Sequence, residues 1–158
     1  MKKAIIITII VILVLALAGC SMKYSDGGLS EVEVDTFEGT SLEIQEGTVT
    51  PTSLKATVIN ETGYELEAGN EYCISIEELK DDGWHELKLS SDLVTTSEAY
   101  GFPNGKKSTM DCIWEGSYGA LPKGHYRIVK AMWTWDESKE GPEACGDTFF
   151  LSAEFDID

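Results

Sequence analysis

From Ser41 to the C-terminus the apolar residues of this chain recur at every second position, and no stretch of a dozen residues carries the stripe of an amphipathic helix. Such alternation puts one face of each extended segment in a core and the other in water, so the apolar faces must be buried by pairing sheets. Leu42 and Ile44 alternate first, then Leu54, Ala56 and Val58, with a break at Thr50-Pro51 and a turn at Asn60-Glu61-Thr62-Gly63. Tyr72, Ile74 and Ile76 make a third run, Asp81-Asp82-Gly83 a tight hairpin turn, and Leu87 and Leu89 its far side. Met110, Cys112 and Trp114 follow, then a long run from His125 to Trp135. Thr148 to Ile157 closes the chain, with Phe149, Leu151, Ala153, Phe155 and Ile157 on one parity. About seven strands with turn signals between them predict an all-β fold, an antiparallel β-sandwich over residues 41–158.

The N-terminus reads as an address. Lys2 and Lys3 precede Ala4 to Ala18, which is apolar except for Thr8 and shorter than the roughly 20 residues a stable membrane span needs. The run ends in Leu17-Ala18-Gly19-Cys20, which resembles the lipobox of bacterial lipoproteins. That resemblance implies a signal peptide over 1–19, lipidation of Cys20, and a chain held on the extracytoplasmic face of the cell membrane. Each buried CH₂ contributes about 0.8 kcal/mol, so two or three acyl chains hold a domain firmly. The alternative is an uncleaved signal anchor. Residues 20–40 mix Ser, Gly and acids and are expected to form a flexible acidic tether, within which Leu29, Val32, Val34 and Phe37 can add a weak first strand.

Charge removes whole classes of function. With 28 acidic against 12 basic residues, a net charge of −16 and Arg127 as the one arginine, the chain repels phosphate backbones, so no nucleic-acid partner is expected. His85 and His125 stand far apart, no nucleotide-binding, zinc or nucleophile-elbow motif occurs, and neither an enzyme activity nor a cofactor is expected. A cysteine nucleophile would need a histidine. His125 might be sought for Cys112, but an inward Tyr126 turns His125 outward. Asp136, Glu137, Glu140, Glu143 and Asp147 crowd one loop and supply the alternative reading, a calcium sensor or envelope enzyme. They lack the regular alternation of a calcium loop, and acidic turns are usually solvated.

Trp114 to Lys130 reads WEGSYGALPKGHYRIVK and resembles the segment joining strands E and F in bacterial immunoglobulin-like domains of surface lipoproteins. Thr50-Pro51-Thr52-Ser53-Leu54, Asn60-Glu61-Thr62, and Gly69 through Ile76-Glu77 to Gly83-Trp84 are similar to the first half of that family, so the likeness covers about residues 42–158. It implies a non-catalytic binding or structural module at the cell envelope, partnered by a protein or envelope polymer. Leu121-Pro122-Lys123-Gly124-His125-Tyr126 matches a tyrosine corner, with Gly124 permissive and the Tyr126 hydroxyl bonding back to upstream backbone. Ile128 stands where antibody-type domains carry their inter-sheet cysteine, so that disulfide is absent. In the sandwich topology the resemblance supplies, Cys73 and Cys145 fall at the same end, and a disulfide between them is expected, with Cys112 a buried thiol. The alternative is three free thiols.

Parity along the strand that starts at His125 nominates a contact surface. If Tyr126 and Ile128 point inward, Lys130 and Met132 share their face, and Val129, Ala131, Trp133 and Trp135 look outward. Trp133 and Trp135 then form an exposed aromatic stripe for the partner. A core-facing Lys130 is uncomfortable: either it snorkels to the rim, or a β-bulge near Val129 swaps the faces and buries both tryptophans.

Overall fold

A computed structural model describes residues 24–89 and 98–158; the expected signal peptide over residues 1–19 and the expected lipidation site Cys20 lie outside the described residues. Ten strands are described: β1 (Tyr24–Leu29), β2 (Thr40–Ile44), β3 (Ser53–Asn60), β4 (Glu65–Gly69), β5 (Ser75–Lys80), β6 (Gly83–Leu89), β7 (Ala99–Phe102), β8 (Lys106–Ile113), β9 (Gly124–Trp135) and β10 (Cys145–Ile157). One helical turn, α1 (Glu115–Tyr118), and a 3₁₀ turn at Gly141–Ala144 complete them. A small antiparallel sheet runs β2-β3-β8, and a seven-stranded one runs β1-β6-β5-β9-β4-β7 with β10 added on β9. The seven runs read from the sequence are present. The additions are β1, β4 and β7, short strands whose few alternating residues give little signal of their own.

The core lies between the sheets. Leu54, Ala56, Val58, Met110 and Cys112 from the small sheet face Tyr126, Ile128, Met132, Leu151 and Phe155 from the large one. Trp114 is fully buried where β8 ends, 5.4 Å from the Phe155 ring, and its indole N–H donates to the Pro51 carbonyl at 2.8 Å. At the crossing into β9 the Tyr126 hydroxyl donates to the Pro122 carbonyl at 3.0 Å. A Cβ on Gly124 would come within 2.9 Å of that hydroxyl, so the ring folds back only over a glycine.

β9 organises the large sheet. β10 pairs with it from Gly124 to Trp133 without interruption, so there is no register break near Val129. That uses one edge. The other is shared end to end: β5 pairs from Ser75 opposite Val129, and β4 pairs up to Ala68 opposite Met132. The six residues 69–74 therefore stand opposite only Lys130 and Ala131, and the surplus chain buckles into a wide bulge. Lys130 points into the core with no exposed surface, and its Nζ donates to the carbonyls of Gly69, Asn70 and Cys73 at 2.7, 2.7 and 2.9 Å. The lysine needs neither snorkelling nor swapped faces, because carbonyl oxygens of the bulge replace its water. Burial pushes its pKa down to about 8.

Two expectations are corrected here. Cys73, Cys112 and Cys145 are all free, so the expected Cys73–Cys145 disulfide is absent. Cys73 lies in the bulge against Gly69, whereas Cys145 pairs with Trp135 across the opposite edge of β9. Strand spacings put them roughly 15 Å apart, well beyond the reach of a disulfide. The alternation of Tyr72, Ile74 and Ile76 suggested a strand that begins at Tyr72, but pairing begins at Ser75. Cys112 is a buried thiol, raised to about 12 by desolvation.

Residues 24–40 are also not a loose tether. β1 pairs with β6, and the chain then crosses the outer face of the large sheet as a strap. Ser30 N–H donates to the Trp84 carbonyl and its hydroxyl to Glu77, both at 2.7 Å. Asp35 grips the free edge of β10, donating its N–H to the Phe150 carbonyl and accepting from the Ser152 N–H and hydroxyl. Phe37 stacks on Phe149 at 4.3 Å. Acidic composition masked these specific contacts. Beneath the strap, Arg127 pairs with Glu77 at 2.6 Å and lies 4.7 Å over the Trp84 ring, so both charges are buried on the sheet's outer face.

Two substitutions test this packing by urea unfolding. Lys130→Met fills most of the volume but leaves the bulge carbonyls without their donor, and is expected to cost about 3 kcal/mol. Tyr126→Phe removes one hydrogen bond and is expected to cost about 1 kcal/mol. Equal effects would contradict the weight given to Lys130.

Candidate functional site

Because β9 keeps its register, its residues divide cleanly. Tyr126, Ile128, Lys130 and Met132 face the core, and Val129, Ala131, Trp133 and Trp135 take the outward parity. Val129 is buried by neighbours on the outer face, while Ala131, Trp133 and Trp135 are half-buried. The Trp133 indole N–H donates to Glu67 on β4 at 3.3 Å, which fixes the ring beside its cross-strand neighbour. From Val129 to Trp135 the stripe runs about 20 Å.

At its lower end the stripe is the floor of a groove. Two adjoining hollows of about 300 and 290 Å³ share Ser75, Val129 and Phe150. Leu29 and Val32 of the strap wall one side, and Tyr72 and Ile74 of the Lys130-held bulge wall the other. Leu29, Val32 and Tyr72 are exposed at 58, 40 and 41 %. Phe150 was readable in advance, since a chain that turns Phe149 inward must turn Phe150 outward. The strap and bulge walls were not, because both depend on long-range contacts.

At its upper end the stripe meets a cleft of about 600 Å³ lined by Tyr64, Glu65, Trp135, Glu137, Lys139 and Glu143, among others. The cleft opens where β10 breaks register between Cys145 and Thr148. Gly146 there lies so close to Thr134 that a Cβ would stand 2.1 Å from its hydroxyl, which requires glycine. Tyr64 is 58 % exposed. Asp136 accepts from Ser138 and pairs with Lys139 at 3.1 Å, and these bonds hold its carboxyl below the usual range. Among the described residues no group of three or more His, Cys, Asp or Glu is placed to hold a metal ion.

His125 is engaged away from Cys112. Its ring nitrogens lie 2.7 Å from Asp156 and 3.0 Å from Glu154, and its ring tilts over Trp84 at 5.7 Å, while Cys112 is sealed in the core. Asp156, then Glu154, raise the His125 pKa, and Asp82, then Asp26, raise that of His85.

Both histidines gain partners on folding, so their contribution is complete below the unfolded value of about 6.5 and is lost as pH rises through the higher folded values. The melting temperature is expected to fall between pH 6 and pH 8. The double substitution His85→Asn, His125→Asn should flatten that slope in a thermal-shift series, and an unchanged slope would contradict the assignment.

Searches of curated proteins and of solved structures each return no match. A family model described as a bacterial Ig-like domain matches residues 36–156, from the end of the strap to the last residues of β10. Two antiparallel sheets around one core agree with that match, and the folded-back Tyr126 has the form of a tyrosine corner. The chain belongs to the bacterial Ig-like domain family.

Proposed function

We propose that this protein is a non-catalytic binding module held by lipid on Cys20 at the extracytoplasmic face of a cell membrane, and that the outward stripe of β9 contacts a protein or envelope polymer. The family supports a non-catalytic binding or structural role of extracellular type. The observation that carries the location of the site is the stripe itself: Ala131, Trp133 and Trp135 line one face of β9 between an apolar groove and an aromatic cleft, on an otherwise acidic domain. These half-buried residues are flanked by exposed Leu29, Val32 and Tyr72 at the groove and Tyr64 at the cleft, and contiguous apolar and aromatic surface marks interaction sites. Leu17-Ala18-Gly19-Cys20 supports the anchor. β1 starts at Tyr24, four residues after Cys20, so the lipid holds the β1 edge of the sheet within about 14 Å of its attachment point.

Two measurements check the two halves of this reading. Intact mass spectrometry of membrane-extracted protein is expected to show a chain starting at a diacylglycerol-bearing Cys20, with Cys20→Ala moving to the soluble fraction; an unmodified chain starting at Met1 would contradict the anchor. Acrylamide, which is neutral and not repelled by the acidic surface, is expected to quench the fluorescence lost on Trp133→Phe, Trp135→Phe. Weak quenching of that difference signal would contradict an available stripe.

A further inference from the structure

We infer that the stripe takes an extended, basic peptide segment in which cationic side chains alternate with apolar ones; this rests on the stripe being the contact surface. Shape fixes the extended form. The path from the groove to the cleft is straight along β9 and about 20 Å long, which matches some six residues of extended chain. Its floor offers apolar contact at Val129, Ala131 and Phe150, and Trp133 stands at mid-path.

Charge selects the occupant. The rim carries Glu31 and Glu86 at the groove, Glu67 beside Trp133, and Glu137 and Glu143 at the cleft. The cations close by are already engaged, Arg127 by Glu77 and Lys139 by Asp136. A second copy would bring its own −16 charge against this rim, and an anionic bilayer would be repelled in the same way. A lysine or arginine entering the cleft meets the opposite environment: the carboxylates of Glu65, Glu137 and Glu143, beside the Asp136–Lys139 pair, and the rings of Trp135 and Tyr64, a setting for cation–π contact.

The test uses the full chain in zwitterionic nanodiscs, titrated with a ten-residue capped peptide of alternating lysine and valine and with its glutamate–valine counterpart, empty nanodiscs being subtracted. The lysine peptide is expected to bind and to shift tryptophan emission, and the glutamate peptide is not. Trp133→Ala is expected to weaken binding by about tenfold or more. Ala131→Glu separates contact from bulk attraction, because it adds negative charge while blocking the groove. It is expected to weaken the lysine peptide, and equal or tighter binding would overturn the inference. Glu137→Gln with Glu143→Gln, both exposed and remote from the core, is expected to weaken it too. If the glutamate peptide binds instead, in a Trp133-dependent way, the contact surface stands and the basic partner falls. If neither binds, the basic partner also falls, and acrylamide quenching then decides separately whether the stripe is available.

Discussion

A buried ammonium survives only where oxygens replace its water, and Lys130 has three carbonyls within 2.9 Å. This one set of hydrogen bonds decides how the large sheet is built. The chain running from β4 into β5 is too long to lie straight along one edge of β9, because residues 69–74 have only Lys130 and Ala131 opposite them, and the excess has to go somewhere. The ammonium gathers it, turning the carbonyls of Gly69, Asn70 and Cys73 inward around a single point. The bulge is then braced from outside, with the Glu71 carbonyl accepting from the Ile113 N–H on the small sheet and the Glu71 carboxylate from the Tyr100 hydroxyl. Tyr72 and Ile74, carried on the same bulge, become one wall of the outer groove. A charge inside the core thus shapes a surface on the opposite face of the sheet.

The strap supplies the second wall by a similar logic. Glu77 and Arg127 would face solvent on a bare sheet, yet they are 1 and 9 % exposed because Ser30 and its neighbours lie across them. Glu77 is shared: one oxygen takes Arg127 and the other takes the Ser30 hydroxyl. Pairs of this kind add little net stability when both partners are desolvated, but leaving either charge alone is costly. Their effect is to make one path of the strap much better than its neighbours. Asp35 at the β10 edge and Phe37 on Phe149 then fix its far end.

Much of this architecture was legible in the residues. Alternation located the long strands, and the short spacing from Pro122 through Gly124 to Tyr126 marked the corner. Parity along β9 also named the right outward residues, with Lys130 the one that did not fit. What parity could not supply was the reason Lys130 fits, because its acceptors lie some sixty positions earlier in a stretch that itself alternates like a strand. The same stretch misplaced Cys73 and with it the disulfide. The strap escaped for a different reason. Its grip depends on Ser30 and Asp35 meeting β5, β6 and β10, and polar residues in an acidic run look alike until the fold brings their partners in.

The account turns on Lys130 being a charged, fully coordinated cation inside the core. Nitrogen-15 NMR of the lysine side chains tests this directly, with carbonyl carbons labelled at Gly69, Asn70 and Cys73. One Nζ resonance is expected to exchange slowly with water, to show hydrogen-bond couplings to those carbonyls, and to titrate near 8, well below the ordinary lysine value. A Lys130 signal that exchanges and titrates like an exposed lysine would contradict the account.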